Sequence, residues 1–403
     1  MSSSLRACLT ATCLLLSLIH PALAEDAVLH FYDDMRIHDS MLELQHEDSG
    51  LQPNLDALLQ AAERALQQEP LSVVNKQELA PSGDPHDYLS YAPYWWPNPD
   101  TADGLPWVNR DGERSPESEA MPNRRDKSAL TRALQPLCLA WHFTGDARYA
   151  EHAALLLRVW FLDEPTRMNP NLNHAQAIPG ITEGRGIGII DWAGTPEMLD
   201  WITMLETWEG WTETDRSGIR SWFGEFQVWL LTSRHGRAEA GMLNNHGTYY
   251  DCIVVSIALF LGDEAAAREI CVAAGDRRLA PQIAADGSQP LELRRTKSWD
   301  YSIYNLQAMV ILARLGKDCG VDLWHYRDDE GAGIREALLF LLPYAQGDEE
   351  WQWKQIKEIH YATYISMLNE LAYEYADESL PVEIARIPDE LTADDDPRML
   401  YVW

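Results

Sequence analysis

The chain has 403 residues, is 46% hydrophobic and carries a formal net charge of −31. That is enough apolar content to bury a sizeable core, and the acidic excess makes nucleic acid and anionic membrane surfaces poor partners. For the same reason, any site that receives a polyanion must be locally basic.

Residues 1–24 read as a secretory leader. Arg6 supplies one positive charge, an apolar run follows from Leu9 to Ile19, His20-Pro21 breaks it, and Ala22-Leu23-Ala24 offers small residues for a cut after Ala24. The run is too short to span a bilayer, and no later stretch reaches the ~18 apolar residues of a membrane helix. The mature chain, residues 25–403, is expected to be an exported single domain with no membrane partner. Cys138, Cys252, Cys271 and Cys319 remain in it, widely spaced. Buried thiols are expected, with Cys252–Cys271 as the pairing to look for. No metal-ligand spacing occurs, and no metal or cofactor is expected.

Leu55, Leu58, Leu59, Ala62 and Leu66 recur at helical spacing, and Pro70 stops the segment. Residues 71–126 then lose the period. They are rich in Pro, Gly, Asp and aromatics, including Tyr94, Trp95 and Trp96. A loop so long inside a compact domain is usually functional or disordered, and its aromatic content favours function. From Lys127 onward, apolar stripes of 3.6-residue period mark helices near 127–143, 147–162, 195–208, 213–235, 246–261, 264–274, 300–316, 332–346 and 361–376. Strand alternation is not evident. Paired helices in such number predict an all-α fold, an (α/α) toroid of antiparallel hairpins with the aromatic loop over its cleft. The acidic tail, about 380–403, is expected to wrap the surface.

Polar and aromatic residues beyond what a helical core requires gather in three places. In Asn244-Asn245-His246-Gly247-Thr248-Tyr249-Tyr250, one Asn suffices to cap the helix that follows. The second Asn, His246 and Tyr250 need another reason. In the segment from Asp286 to Leu306, Arg294, Arg295 and Lys297 bring three cations together in an acidic chain, just ahead of Tyr301 and Tyr304. The third is a glycine-punctuated loop with His174, Gln176 and Arg185, read either as a substrate subsite or as a structural connection.

Together these residues resemble the alginate lyase superfamily with an (α/α) toroid, polysaccharide lyase family 38 in particular and family 5 more distantly. The likeness rests on Ser82-Gly83-Asp84-Pro85-His86-Asp87-Tyr88, Tyr94-Trp95-Trp96-Pro97, Asn244-Asn245-His246-Gly247, and Arg294-Arg295 followed by Tyr301 and Tyr304. It implies a catalytic set of Tyr301, His246, Asn245 and Arg295. Arg294, Tyr250, His174, Gln176, Arg185, Tyr94, Trp95, Trp96 and Tyr304 would contact an anionic polysaccharide. The implied reaction is β-elimination on a 1,4-linked polyuronate, alginate or glucuronan, with Asn, His and Arg quenching the substrate carboxylate. Arg295 and His246 are expected to lower the phenol pKa of Tyr301 toward neutrality. Two rivals stand beside this reading. One is a toroidal glycoside hydrolase using a pair from Asp87, Asp191, Asp251 and Asp300; the other is a non-catalytic polyuronate binder.

Overall fold

A computed structural model describes residues 28–46, 48–388 and 397–401. The leader and residues 389–396 and 402–403 of the acidic tail lie outside the described residues. Two helices form an outer support. Helix α1 (Asp34–Glu43) is capped by the Asp33 carboxylate, which accepts the Arg36 N–H. Helix α2 (Gln52–Ala65) carries a proline in its first turn, where a missing N–H costs nothing. It turns Leu55, Leu58 and Ala62 inward. The chain end returns to this support: Leu400 and Tyr401 are buried, and the Tyr401 ring lies 5.3 Å from that of Tyr32. The end of the tail is thus anchored in the core, not laid over the surface, because its last residues are apolar although those before them are acidic.

The 71–126 segment is built from short pieces: β1 (Leu89–Tyr91), β2 (Trp95–Trp96), β3 (Val108–Asn109), α3 (Pro116–Glu119) and the start of α4 (Pro122–Thr144). Strand β2 pairs antiparallel with β3, and β1 pairs in parallel with β4 (His174–Ala177), drawing the polar 171–180 loop beside the aromatic one. Strands of two to four residues are too short for alternation to be read. Helix α4 starts five residues before its expected position, because its first turns bury polar Asn123, Asp126 and Lys127 and so carry no apolar stripe.

After α4 come α5 (Ala147–Leu157), α6 (Thr195–Glu206), α7 (Glu213–Thr232) and α8 (Arg234–Ala240). The expected 213–235 helix breaks at Ser233, which leaves the helix at ψ 160° and caps α8 with its hydroxyl. Helices α9 (Asn245–Phe260), α10 (Glu264–Ala274), α11 (Pro290–Leu293), α12 (Ser298–Asp318), α13 (Ile334–Ala345), α14 (Ala362–Glu374) and α15 (Leu380–Ile384) complete the chain.

Helix α9 is the inner wall that joins the two halves. It packs on α6 and α7 on one side and on α10 and α12 on the other. Tyr250, Ile253, Val254 and Ile257 enter one apolar cluster; Tyr249, Cys252, Val255 and Ala258 enter the second. A helix apolar all round is one buried on both sides. Packed hairpins around this wall make the (α/α) toroid. The four described cysteines are free and buried, so the Cys252–Cys271 bridge is absent. The Cys252 thiol bonds instead to the Ala308 carbonyl oxygen at 3.1 Å.

Candidate active site

A cleft of about 580 Å³ opens where the aromatic loop, the start of α4, the 176–191 segment, the start of α9 and the turn into α12 converge. At one wall stands Tyr301, in the first turn of α12. Its hydroxyl accepts a hydrogen bond from Arg295 Nη2 at 2.7 Å and donates one to the Tyr94 hydroxyl at 2.9 Å. The Arg295 guanidinium lies 3.7 Å from the centre of the Tyr301 ring, and Lys297 Nζ lies 5.7 Å away. Asp111, from the aromatic loop, holds Arg295 at 2.7 Å and also accepts the Thr296 N–H at 3.2 Å. Burial works against ionisation of Asp111, but the bonds from Arg295 and Thr296 outweigh it and hold the carboxyl below its usual range.

Tyr301 does not follow the expected direction. Burial, reinforced by the neighbouring Tyr94 hydroxyl, pushes its phenol well up, and the Arg295 charge offsets this only in part. In the unliganded cleft Tyr301 is therefore a neutral phenol, a proton donor at rest.

The second wall is the start of α9. His246 Nδ1 lies 2.7 Å from Glu239 Oε1, which leaves Nε2 for the cleft. Asn245 is 1% exposed, and its amide nitrogen lies 2.9 Å from both Glu292 oxygens, while its backbone N–H donates to Oε1 at 2.9 Å. The donor expected to meet a substrate carboxylate is thus spent on Glu292. Asn245 borders the cleft, but its amide nitrogen is occupied in holding the start of α9 to α11. Burial pushes the Glu292 carboxyl up, while the two Asn245 donors oppose that shift.

The floor is basic. Lys127 donates to the Asp191 carbonyl oxygen at 3.0 Å, and burial, opposed by the Asp191 charge, brings its ammonium down to about 8. Arg185, brought down to about 10 by burial, donates to the Gln176 side-chain oxygen at 2.9 Å. Gln176 in turn donates to Asp191 Oδ1 at 2.9 Å and adopts φ +50°, a strained value for a residue with a side chain. With Arg114, Arg124, Arg295 and Lys297, the lining holds six cations against three carboxylates, Asp111, Asp191 and Asp300. The chain as a whole is strongly acidic; this cleft is not.

Tyr94, Trp95, Gln176, Arg185, Asn245, His246, Arg295, Tyr301 and Tyr304 line the cleft, as placed from sequence. Four other expected contacts do not. Arg294 is exposed and absent from the cleft lining. Tyr250 faces the core, donating to the Leu230 carbonyl oxygen at 3.0 Å. The rings of Trp96 and His174 brace their own loops: Trp96 donates to the Glu113 carbonyl oxygen at 3.1 Å under the Arg110 guanidinium, and His174 Nδ1 lies 3.2 Å from the Glu183 carbonyl oxygen. Of the carboxylates a hydrolase would need, Asp251 is fully buried against Arg277 and Arg278, and Asp87 is bound by Asn169 and Asn171. Sequence reading missed Asp111, Arg114, Arg124, Lys127, Glu239 and Glu292. Arg124-Arg125-Asp126-Lys127 was a visible signal, a second cation group in an acidic chain; Glu239 and Glu292 look like ordinary helical acids.

The alginate lyase family profile matches residues 72–351. The fold is similar to that of an alginate lyase from Bacteroides ovatus, at 34% identity and a TM-score of 0.89 over 93% of this chain and 98% of that one. Alginate lyase A1-III from Sphingomonas species A1 matches at 17% identity and a TM-score of 0.56 over 96% of each chain. A histidine variant of alginate lyase A1-III, complexed with a tetrasaccharide, matches at 14% identity and a TM-score of 0.59 over 96% of this chain and 95% of that one. At the two lower identities the likeness is one of fold. No curated protein matches the chain.

Proposed function

The chain belongs to the alginate lyase family, and from that premise we propose that it cleaves a 1,4-linked polyuronate, alginate first among them, by β-elimination at Tyr301, Arg295 and His246. As a family member it is a polysaccharide lyase, a carbon–oxygen lyase. The observation that carries the finer reading is the Tyr301 hydroxyl fixed by Arg295 in a basic cleft of an acidic protein.

Elimination removes the proton on C5, expels the oxygen on C4 and leaves a C4–C5 double bond. The C5 proton is weakly acidic while the adjacent carboxylate is charged, so positive groups must quench the charge that builds there. His246 Nε2 and the Arg295 guanidinium are the cleft donors placed for this. A group that is buried and hydrogen-bonded before substrate arrives need not reorganise during the reaction. Tyr301 is a phenol at rest, so its first task as base requires that its proton leave. The hydrogen bond to Tyr94 supplies the outlet, Tyr94 taking that proton as it releases its own to solvent, and the incoming C5 proton then restores the phenol as the acid for O4.

Mannuronate and glucuronate carry H5 and O4 on the same side, where one tyrosine serves both steps. Guluronate carries them on opposite faces and needs a second base, for which His246 is the candidate. Mannuronate and glucuronate differ only at C2, so Tyr301 accepts either, and glucuronan is the second substrate to test. The export leader read in residues 1–24 suits an enzyme whose polymer is met outside the cell. Incubation with polymannuronate, polyguluronate and glucuronan separately, read by the ultraviolet absorbance of the new double bond, tests the proposal. Absorbance is expected to grow fastest on polymannuronate. Absence of absorbance on all three would refute elimination.

A further inference from the structure

We propose that Glu239 is a positioning residue for His246: by accepting the Nδ1–H it fixes the plane of the ring and keeps Nε2 turned to the cleft, where the protonated ring presents an N–H to the substrate carboxylate. The inference rests on the reading of His246 as a carboxylate-binding group. Glu239 itself is 1% exposed and does not line the cleft, so it acts only through the ring.

The contact is 2.7 Å, a length typical of a charge-assisted bond. His246 is the sole side-chain hydrogen-bond partner of Glu239 among the described residues, and Glu239 Oε2 is buried with no partner. A half-satisfied buried carboxylate costs stability. Its place worsens the cost, since Glu239 lies in the last turn of α8, where the helix end is negative. An apolar residue would pack there at less expense, so packing alone does not account for a glutamate.

The approach of α8 to α9 is itself built. Gly247, directly after His246, has no room for a side chain: an added Cβ would lie 2.0 Å from the Met242 carbonyl oxygen and 2.5 Å from Arg278 Nη1. Arg278, fully buried, donates to the Ala240 and Met242 carbonyl oxygens at 2.8 and 2.7 Å, while its Nε holds Asp251 of α9 at 2.8 Å. The two-helix corner is thereby clamped with Glu239 against His246. Both ring nitrogens donate only in the protonated ring, and with Nδ1–H spent on Glu239 its Nε2–H is the donor left for the carboxylate.

The test compares Glu239→Ala and Glu239→Gln with the unmodified protein, by initial rates on polymannuronate and by ¹⁵N NMR of histidine-labelled protein, the His246 resonances being assigned by their loss in His246→Gln. In Glu239→Ala, kcat is expected to fall about 10–100-fold with KM little changed, and the Nδ1–H form of His246 to be lost. Glu239→Gln keeps a carbonyl oxygen to accept Nδ1–H and should recover most of both. If Glu239→Ala does not fold, Glu239→Leu, which fills the volume without an acceptor, carries the same expectation. A kcat within twofold of the unmodified protein, or an unchanged Nδ1–H form in the variant lacking an acceptor, would overturn the proposal. Absence of unsaturated product from the unmodified protein would defeat the functional reading instead, while the NMR arm would still decide the hold of Glu239 on the ring.

Discussion

Two hydrogen bonds define the Tyr301 hydroxyl: one received from Arg295 and one given to Tyr94. Its oxygen therefore has a fixed cation beside it, and its proton a fixed route. Removing that cation, by Arg295→Ala, is expected to lower kcat by about 10²-fold or more, the usual cost of losing one charge-stabilising donor, measured as initial rate at saturating polymer. Lys127 gives a pH prediction. Burial disfavours its charged form and brings it to about 8, so the cation is present below that pH and lost above it. KM for a polyuronate should rise as pH passes about 8, and Lys127→Met, without a titrating group, should flatten that rise. At this scale the sequence was partly legible. Tyr301, Arg295 and His246 stood in recognisable motifs, but the groups that hold the last two, Asp111 and Glu239, lie 184 and 7 residues away and carry no local mark. The direction of the Tyr301 shift was not legible either, because burial is a property of the packed cleft and not of neighbouring residues in the chain.

The elements that shape the site are α9, α12 and the aromatic loop. Helices with long apolar stripes were readable almost to the residue: α10 is Glu264–Ala274, as its period indicates. Short strands and polar helix starts were not, since β2 and β3 span two residues each and α4 buries charged groups in its first turns. The corner between α8 and α9 depends on Gly247, where a Cβ would press on backbone at 2.0 Å. Gly247→Ala should destabilise the protein by about 1–3 kcal/mol, the usual range for overpacking, seen as a lower Tm. A Tm unchanged within a degree would show that the corner yields. The loss of activity should exceed what the unfolded fraction explains, because the same displacement moves His246.

The whole molecule separates its charges. A net charge of −31 repels a polyanion at a distance, while the cleft gathers Arg114, Arg124, Lys127, Arg185, Arg295 and Lys297 in one place. Attraction therefore acts only at short range, within about a Debye length, roughly 10 Å at 0.1 M salt. Arg124 stands in the first turn of α4 and is not among the hydrogen-bond partners of the Tyr301 hydroxyl. Arg124→Gln should raise KM several-fold and leave kcat within about twofold, and a fall in kcat with KM unchanged would place it in the chemistry instead. The toroid itself was legible from helix number and pairing. The basic cleft was legible in part, from Arg295 and Lys297, while its other cations come from three further segments that the fold alone brings together.

Proton transfer by Tyr301 is decided by Tyr301→Phe, assayed on polymannuronate by ultraviolet absorbance with polymer binding measured in parallel. The phenol oxygen is lost while the ring and its packing stay. The unmodified protein should form unsaturated product steadily, the variant should be slower by about 10²-fold or more, and polymer binding should stay within a few-fold of normal. Unsaturated product formed by Tyr301→Phe at an undiminished rate would contradict it.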